Sequence, residues 1–391
     1  MTLKELDDQY VLHTYARRQI AFERGQNARA FDENRNDYID FTSGIGVNSI
    51  GHNNPRLVCA IAEQAGRILH GSNLYLNRNQ AELAQTIARL SGMNTRTFFA
   101  NSGAEANECA IKIARKYGEK SGRYKIITLK NSFHGRTIAA LKATAQDKFH
   151  EHFGPFPDGF AYADDLDDAL KLIDGRTIGV MVEIVQGEGG VVPMNKEKIK
   201  KLAARLKKDR LLLIADEIQC GVYRCGEFLA SQIYGVEPDI FTLAKGLGGG
   251  VPIGAAATTL KEVFIYGDHG STFGGNFLAA KAALVTLDVL ERLQASGELQ
   301  KTIDYFGDRC RAIALNFPNL FVGVTGIGLM KALIARDEQT RGAIIDAAHA
   351  NRLLALRAGE THIRLLPPLT VTKEEINEGF ARFESACRLV K

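Results

Sequence analysis

Four runs of apolar, mostly β-branched residues recur along the chain: YKIITL at 124–129, IGVMVEIV at 178–185, LLLIADEI at 211–218 and IFTLA at 240–244. Each is apolar at successive positions rather than at alternate ones, the pattern of strands covered on both faces. Such strands, joined by helical crossovers, build a mainly parallel sheet, so the expected class is α/β. Helical spacing fills the gaps. In AEANECAIKIARKYG, residues 104–118, it puts Cys109, Ala110, Ile113 and Tyr117 on one face. In KEKIKKLAARLKKDR, residues 196–210, it turns Ile199, Leu202 and Leu206 inward and the lysines outward, a solvated face rather than a polyanion site. From residue 276 a long helix, NFLAAKAALVTLDVLERL, leads into a mixed α and β tail, which places a domain boundary near 280–290. The first 50 or so residues read as irregular and turn-rich, punctuated by Gly44, Gly46 and Gly51.

With 391 residues the chain exceeds one ordinary core of ~150 residues, so about two domains are expected. Its 45% hydrophobic and 24% charged content excludes a disordered, collagenous or coiled-coil protein. A net charge of +4 gives no support for a nucleic-acid partner. No apolar stretch approaches the ~18 residues of a membrane span. The start, MTLKELDDQY, carries acids where a secretion signal carries basic and then apolar residues. A cytoplasmic protein without a membrane partner is therefore expected. The six cysteines, Cys59, Cys109, Cys220, Cys225, Cys310 and Cys387, are scattered without a C-x-x-C pair, which suits free thiols in a reducing compartment.

The glycine-rich segments fail the nucleotide-binding tests. GLGGGV at 246–251 and GEGGVV at 187–192 both lack the third glycine of G-x-G-x-x-G, and no Gly-Lys pair exists for a phosphate-binding Walker loop. H-E-x-x-H and G-x-S-x-G are absent as well. His150 and His152 flank Glu151 at a spacing that parts them on a helix, so no metal is expected.

Three features stand at the ends of successive expected strands, where open α/β sheets collect ligands. Ser102, followed at three residues by Glu105, forms a capping box that opens a helix, and Gly103 lets backbone N–H groups approach an anion. Asp216 and Glu217 end an apolar strand, and alternation lets only one of them face a shared site. Lys245 ends another strand ahead of a glycine-rich loop, where burial would lower its pKa and free the amine as a nucleophile. Taken singly, the first two read as a helix cap and a turn-forming acid, and a solvent-facing strand end is the lesser reading of the lysine. Together they supply what pyridoxal phosphate requires: N–H donors for its phosphate, a carboxylate for its ring nitrogen and an amine for its aldehyde.

At these residues the chain resembles the fold-type I pyridoxal-phosphate enzymes, specifically the class III, ω-amino-acid aminotransferases. The likeness runs almost end to end through FTSGIGVNSIGHNNPRLV, NLYLNRNQAELAQ, NSGAEANECAIKIAR, NSFHGRT, EIVQGEGGV, LLIADEIQCGVYRCGEF, LAKGLGGGVPIGA, HGSTFGGNFLAA and HIRLLPPLT. It implies a large cofactor-binding domain at 52–285 with a seven-stranded, mainly parallel sheet. It also implies a smaller α+β domain from 286–391, joined by an N-terminal segment at 1–51. By carry-over Lys245 bonds the cofactor aldehyde and Asp216 holds the ring nitrogen. Ser102, Gly103 and Ala104 hold the phosphate, Phe133 stacks on the ring and Gln219 lies near the phenolic oxygen. Thr272 reaches the phosphate of a neighbouring subunit, implying a homodimer with shared sites. Arg364 takes the α-carboxylate of glutamate or 2-oxoglutarate, Glu188 pairs with Arg364 when that carboxylate is absent, and Arg136 takes the substrate's other carboxylate. The implied reaction is a ping-pong transamination between N-acetylornithine and 2-oxoglutarate, a step of arginine biosynthesis. Ornithine, 4-aminobutyrate or succinyl-diaminopimelate are alternative donors, and an aminomutase is a more distant reading. The chain departs from common family wording at Glu183-Ile184, Cys225 and Asn276-Phe277-Leu278.

Overall fold

The fold is known from a computed structural model, which describes residues 1–390. Its centre is a seven-stranded sheet. The strands run in the order Arg96–Ala100, Gly254–Thr258, Ile240–Leu243, Leu212–Asp216, Thr177–Glu183, Lys125–Leu129 and Phe160–Ala163. The last five pair in parallel. Gly254–Thr258 runs antiparallel to both its neighbours, so six strands share one direction. All four apolar runs of the sequence lie in this sheet, and every residue of Thr177–Glu183 and Leu212–Asp216 is buried. Helices cover the sheet. Lys196–Asp209 buries Ile199, Leu202 and Leu206, as its spacing predicts; each fully buried side chain of this kind contributes about 1.5–3 kcal/mol.

Other expectations are corrected. Cys109, Ala110 and Ile113 are buried as expected, but Tyr117 is exposed, because the inward stripe of Gly103–Gly118 is completed by Ala106, Asn107, Ile111, Ala114 and Gly118. The first 50 residues are irregular only in part: Leu3–Tyr10 is a helix, and Phe22–Gln26, Arg29–Asp32 and Asp37–Asp40 form an antiparallel meander. Leu353–Leu354 joins it in parallel with Ile39–Asp40, tying the N-terminal segment to the C-terminal part of the chain. A further four-stranded antiparallel sheet combines Phe321–Ile327, Met330–Ala335, His362–Leu365 and Leu356–Ala358. Phe277–Ala295 is the long helix expected after residue 276. Among the described residues no helix is long and apolar enough to cross a membrane.

Candidate active site

Because the parallel strands share a direction, their C-terminal ends converge. Glu183, Asp216 and Thr242 are register neighbours there, side by side on adjacent strands. These ends, with the start of Gly103–Gly118, border a cavity of about 390 Å³ whose wall includes Ser102, Gly103, Ala104, Phe133, Arg136, Asp216, Gln219 and Lys245. A larger crevice of about 1010 Å³ lies at the opposite strand ends, around Leu211–Leu213 and Asp239, and contains none of the candidate residues. The chemistry, not the size, selects the smaller one.

The helix start is built for an anion. The first N–H groups of any helix lack intrahelical acceptors, and its dipole favours negative charge there. Ser102 caps it, its hydroxyl accepting the Glu105 N–H at 3.2 Å. The expected reciprocal bond shifts by one residue, since Glu105 Oε2 accepts the N–H of Asn101 at 2.6 Å rather than that of Ser102. Gly103 is required by space: a Cβ there would lie 2.8 Å from Ile218. Gly254 is required likewise, because a Cβ would run into the Ser102 carbonyl.

Asp216 sits in a buried polar network. Its Oδ2 accepts from Asn107 Nδ2 and from His134 Nδ1, both at 2.8 Å, and its Oδ1 accepts the Ile218 N–H at 3.1 Å. The carboxylate accepts only, so His134 carries its proton on Nδ1 toward Asp216. Thr242 donates to Asn107 at 2.8 Å, fixing which end of the amide faces Asp216. Glu217 points the other way, as strand alternation requires. Fully buried, it accepts the N–H groups of Ala230 and Ser231, both at 2.8 Å, at the start of the Ala230–Tyr234 helix. Burial raises its pKa.

Lys245 follows Ile240–Leu243 and is half-buried. Its φ of 39° is left-handed, a strained backbone of the kind that collects at functional sites. Burial lowers the pKa of its amine, while Glu188 and Asp216 pull the other way. Beside the cavity Arg364, almost fully buried, donates to Glu188 Oε1 at 2.6 Å and to Gln219 Oε1 at 3.0 Å. Burial pushes Glu188 up, but the Arg364 guanidinium together with Lys245 and Gln219 outweighs it and holds the carboxylate below its usual range. Arg136 is exposed, its guanidinium 4.1 Å from the Phe149 ring centroid and 5.5 Å from that of Phe133.

Thr272 stands apart from this cluster on the exposed loop that holds Ser271 and Phe273. Ser271 ties that loop to the rim by accepting from Asn101 Nδ2 at 3.2 Å. Pattern reading missed Asn107 and His134 and gave no role to Glu183. Glu183 lines the cavity, and its carboxylate accepts the N–H groups of Phe133 at 2.9 Å and Gly187 at 3.1 Å. Burial raises it to about 7.

The geometry offers an anion cradle, a ring of buried polar groups around one carboxylate, a shielded amine and a guanidinium paired with a carboxylate. Comparison with known proteins agrees in kind. The class-III aminotransferase family matches residues 11–387. The acetylornithine aminotransferase of Wolinella succinogenes is 54% identical over 387 residues, 98% of each chain. That of Aquifex aeolicus is 42% identical over 378 residues, 95% of this chain and 98% of its own. Among solved structures, N-acetylornithine aminotransferase from Stenotrophomonas maltophilia K279a aligns over 99% of both chains at 35% identity and a TM-score of 0.83. Ornithine aminotransferase from Toxoplasma gondii ME49 aligns over 99% of this chain and 94% of its own, at 32% identity and a TM-score of 0.92.

Proposed function

The chain belongs to the class-III aminotransferases, and from that membership we propose that it transfers the δ-amino group of N-acetylornithine to 2-oxoglutarate, yielding N-acetylglutamate 5-semialdehyde and glutamate. It is a pyridoxal-phosphate-dependent aminotransferase of fold type I. The residues present fit that cofactor. The Ser102–Ala104 helix start would take the phosphate, Phe133 would pack against the ring, Asp216 would keep the ring nitrogen protonated, Gln219 would serve the phenolic oxygen, and the Lys245 amine would bond the aldehyde. When bound, the cofactor supplies an electron sink for negative charge developing on the substrate carbon.

The rest is work for the chain's own groups. Lys245, with its amine free, would act as general base and take up at Nζ a proton from the substrate's amine-bearing carbon. Asn107 and His134 hold Asp216 in place by hydrogen bonds, so its charge stays aimed at the ring nitrogen. Arg364 takes the α-carboxylate of glutamate or 2-oxoglutarate through a charge-assisted pair, and Arg136 takes the distal one. For acetylornithine, whose reacting amine lies at the far end, Arg136 takes the α-carboxylate and Glu188 keeps Arg364 paired. An unpaired guanidinium in that place would be an uncompensated buried charge.

The observation that carries this reading is the Arg364–Glu188 pair at 2.6 Å beside the lysine-bearing cavity. It lets one pocket serve both a dicarboxylate and a substrate that has no carboxylate beside its reacting carbon. The choice of acetylornithine rests on the 54% identity with the Wolinella succinogenes enzyme. A panel of acetylornithine, ornithine, 4-aminobutyrate and succinyl-diaminopimelate with 2-oxoglutarate tests it. Acetylornithine should give the highest kcat/KM, by about tenfold or more; a higher value on any other donor refutes the assignment.

The working unit of this reading is a cytoplasmic homodimer, with Thr272 reaching the partner's phosphate site. Two loops support it: one exposes Leu74, Tyr75 and Leu76, the other Phe273, and Asn73 Nδ2 joins them by donating to the Ser271 carbonyl at 2.8 Å. Sedimentation at micromolar concentration should return twice the 42.8 kDa chain mass; a monomer speaks against shared sites.

A further inference from the structure

Glu183 lines the cavity yet has no task in the reaction just described. It ends the fully buried Thr177–Glu183 strand, register partner of Asp216. Its two carboxylate oxygens serve different loops. Oε1 accepts the Phe133 N–H at 2.9 Å, and Oε2 accepts the Gly187 N–H at 3.1 Å. The first loop carries Phe133, His134 and Arg136, and the second carries Glu188. At Phe133 and Gly187 neither loop has a strand or helix ladder to hold its backbone. A buried N–H without an acceptor is costly, so the carboxylate ties both loops to the end of one rigid strand.

We propose that Glu183 is a positioning residue that fixes the Phe133 wall relative to the Glu188 side of the cavity, and through them sets how the bound ring and the substrate carboxylate face each other. This rests on the ring and switch roles given above to Phe133 and Glu188. Once ionised, above its pKa of about 7, the carboxylate is suited to the task because both its oxygens accept. A glutamine of the same shape accepts at one end and donates at the other, so its amide must oppose one of the two N–H groups. Glu183→Gln therefore releases one loop while preserving volume.

The test uses the full-length protein loaded with pyridoxal phosphate. Glu183→Gln should keep its thermal unfolding midpoint within a few degrees of wild type. The visible circular dichroism of its bound cofactor should change, since that signal reports the ring's asymmetric surroundings. The KM for 2-oxoglutarate should rise on the order of tenfold, with kcat falling less, as one hydrogen bond is lost. A purely structural carboxylate would lower the midpoint and leave the dichroism and the KM-to-kcat split unmoved; that result overturns the proposal. The dichroism arm is independent of the amino donor. If the acetylornithine assignment fails, a changed spectrum with a retained midpoint still supports the positioning role, and an unchanged spectrum still refutes it. Should Glu183→Gln not fold, Glu183→Asp, which keeps the charge but is one methylene shorter, is read by the same spectrum and the same outcomes.

Discussion

Lys245→Ala is expected to lower transamination by about 10⁴-fold or more while leaving a folded protein that still takes up pyridoxal phosphate without bonding to it. The size follows from the two roles proposed for one amine, bonding the cofactor and moving the proton. An alanine does neither, and no neighbour is placed to take over. Glu188, Asp216 and Glu183, the carboxylates whose charges act on Lys245, are engaged by Arg364, by the Asn107–His134 network and by the N–H groups of Phe133 and Gly187 respectively. The fold should survive because the substitution removes a cavity-lining side chain and no packed core atom, and alanine tolerates the same strained backbone no worse than lysine. Rapid-quench turnover, with cofactor content read by absorbance, checks both halves. Turnover within about tenfold of wild type would remove Lys245 from the chemistry.

Arg364→Ala is expected to separate the two half-reactions. The guanidinium is nearly fully buried and holds Glu188 at 2.6 Å. In the glutamate half-reaction its proposed partner is the substrate's α-carboxylate, and truncating one partner of a buried, hydrogen-bonded charge pair costs about 2–5 kcal/mol. The KM for glutamate and 2-oxoglutarate should therefore rise on the order of 10²-fold. With acetylornithine the arginine's partner is Glu188 and not the substrate, so the loss should stay below about tenfold. Stopped-flow absorbance of the loaded enzyme mixed with each substrate alone measures the two halves separately. Equal losses in both would mean that Arg364 does not discriminate between substrates and that Glu188 is no switch.

The large sheet was readable because strands covered on both faces must be apolar at every position, and YKIITL, IGVMVEIV, LLLIADEI and IFTLA are nearly so. Gly254–Thr258, reading GAAAT, carries too little apolar bulk to announce itself or its reversed direction. The N-terminal meander hid for another reason: FERGQ, RAFD and DYID are short and partly exposed. The strand that completes their sheet, Leu353–Leu354, lies some three hundred residues on, and no local pattern registers such a partner. Around the cavity the most legible signal was a charge ending an apolar run, because charge in that place is expensive unless it is used. It marked Asp216 and Lys245, and the same rule applied to IGVMVE would have marked Glu183. Asn107, a polar residue on the buried stripe of Gly103–Gly118, was open to a similar argument. Arg364 and Glu188 were different. Each is unremarkable in its own segment, they stand 176 residues apart, and only the family resemblance joined them before their ion pair was seen.

The central claim is that the cofactor is bonded to one lysine. Reduction of the loaded enzyme with labelled borohydride, followed by proteolysis and mass mapping, should recover the pyridoxyl group on the peptide containing Lys245, in the run LAKGLGGG. Recovery on any other lysine, or on no peptide at all, would contradict it.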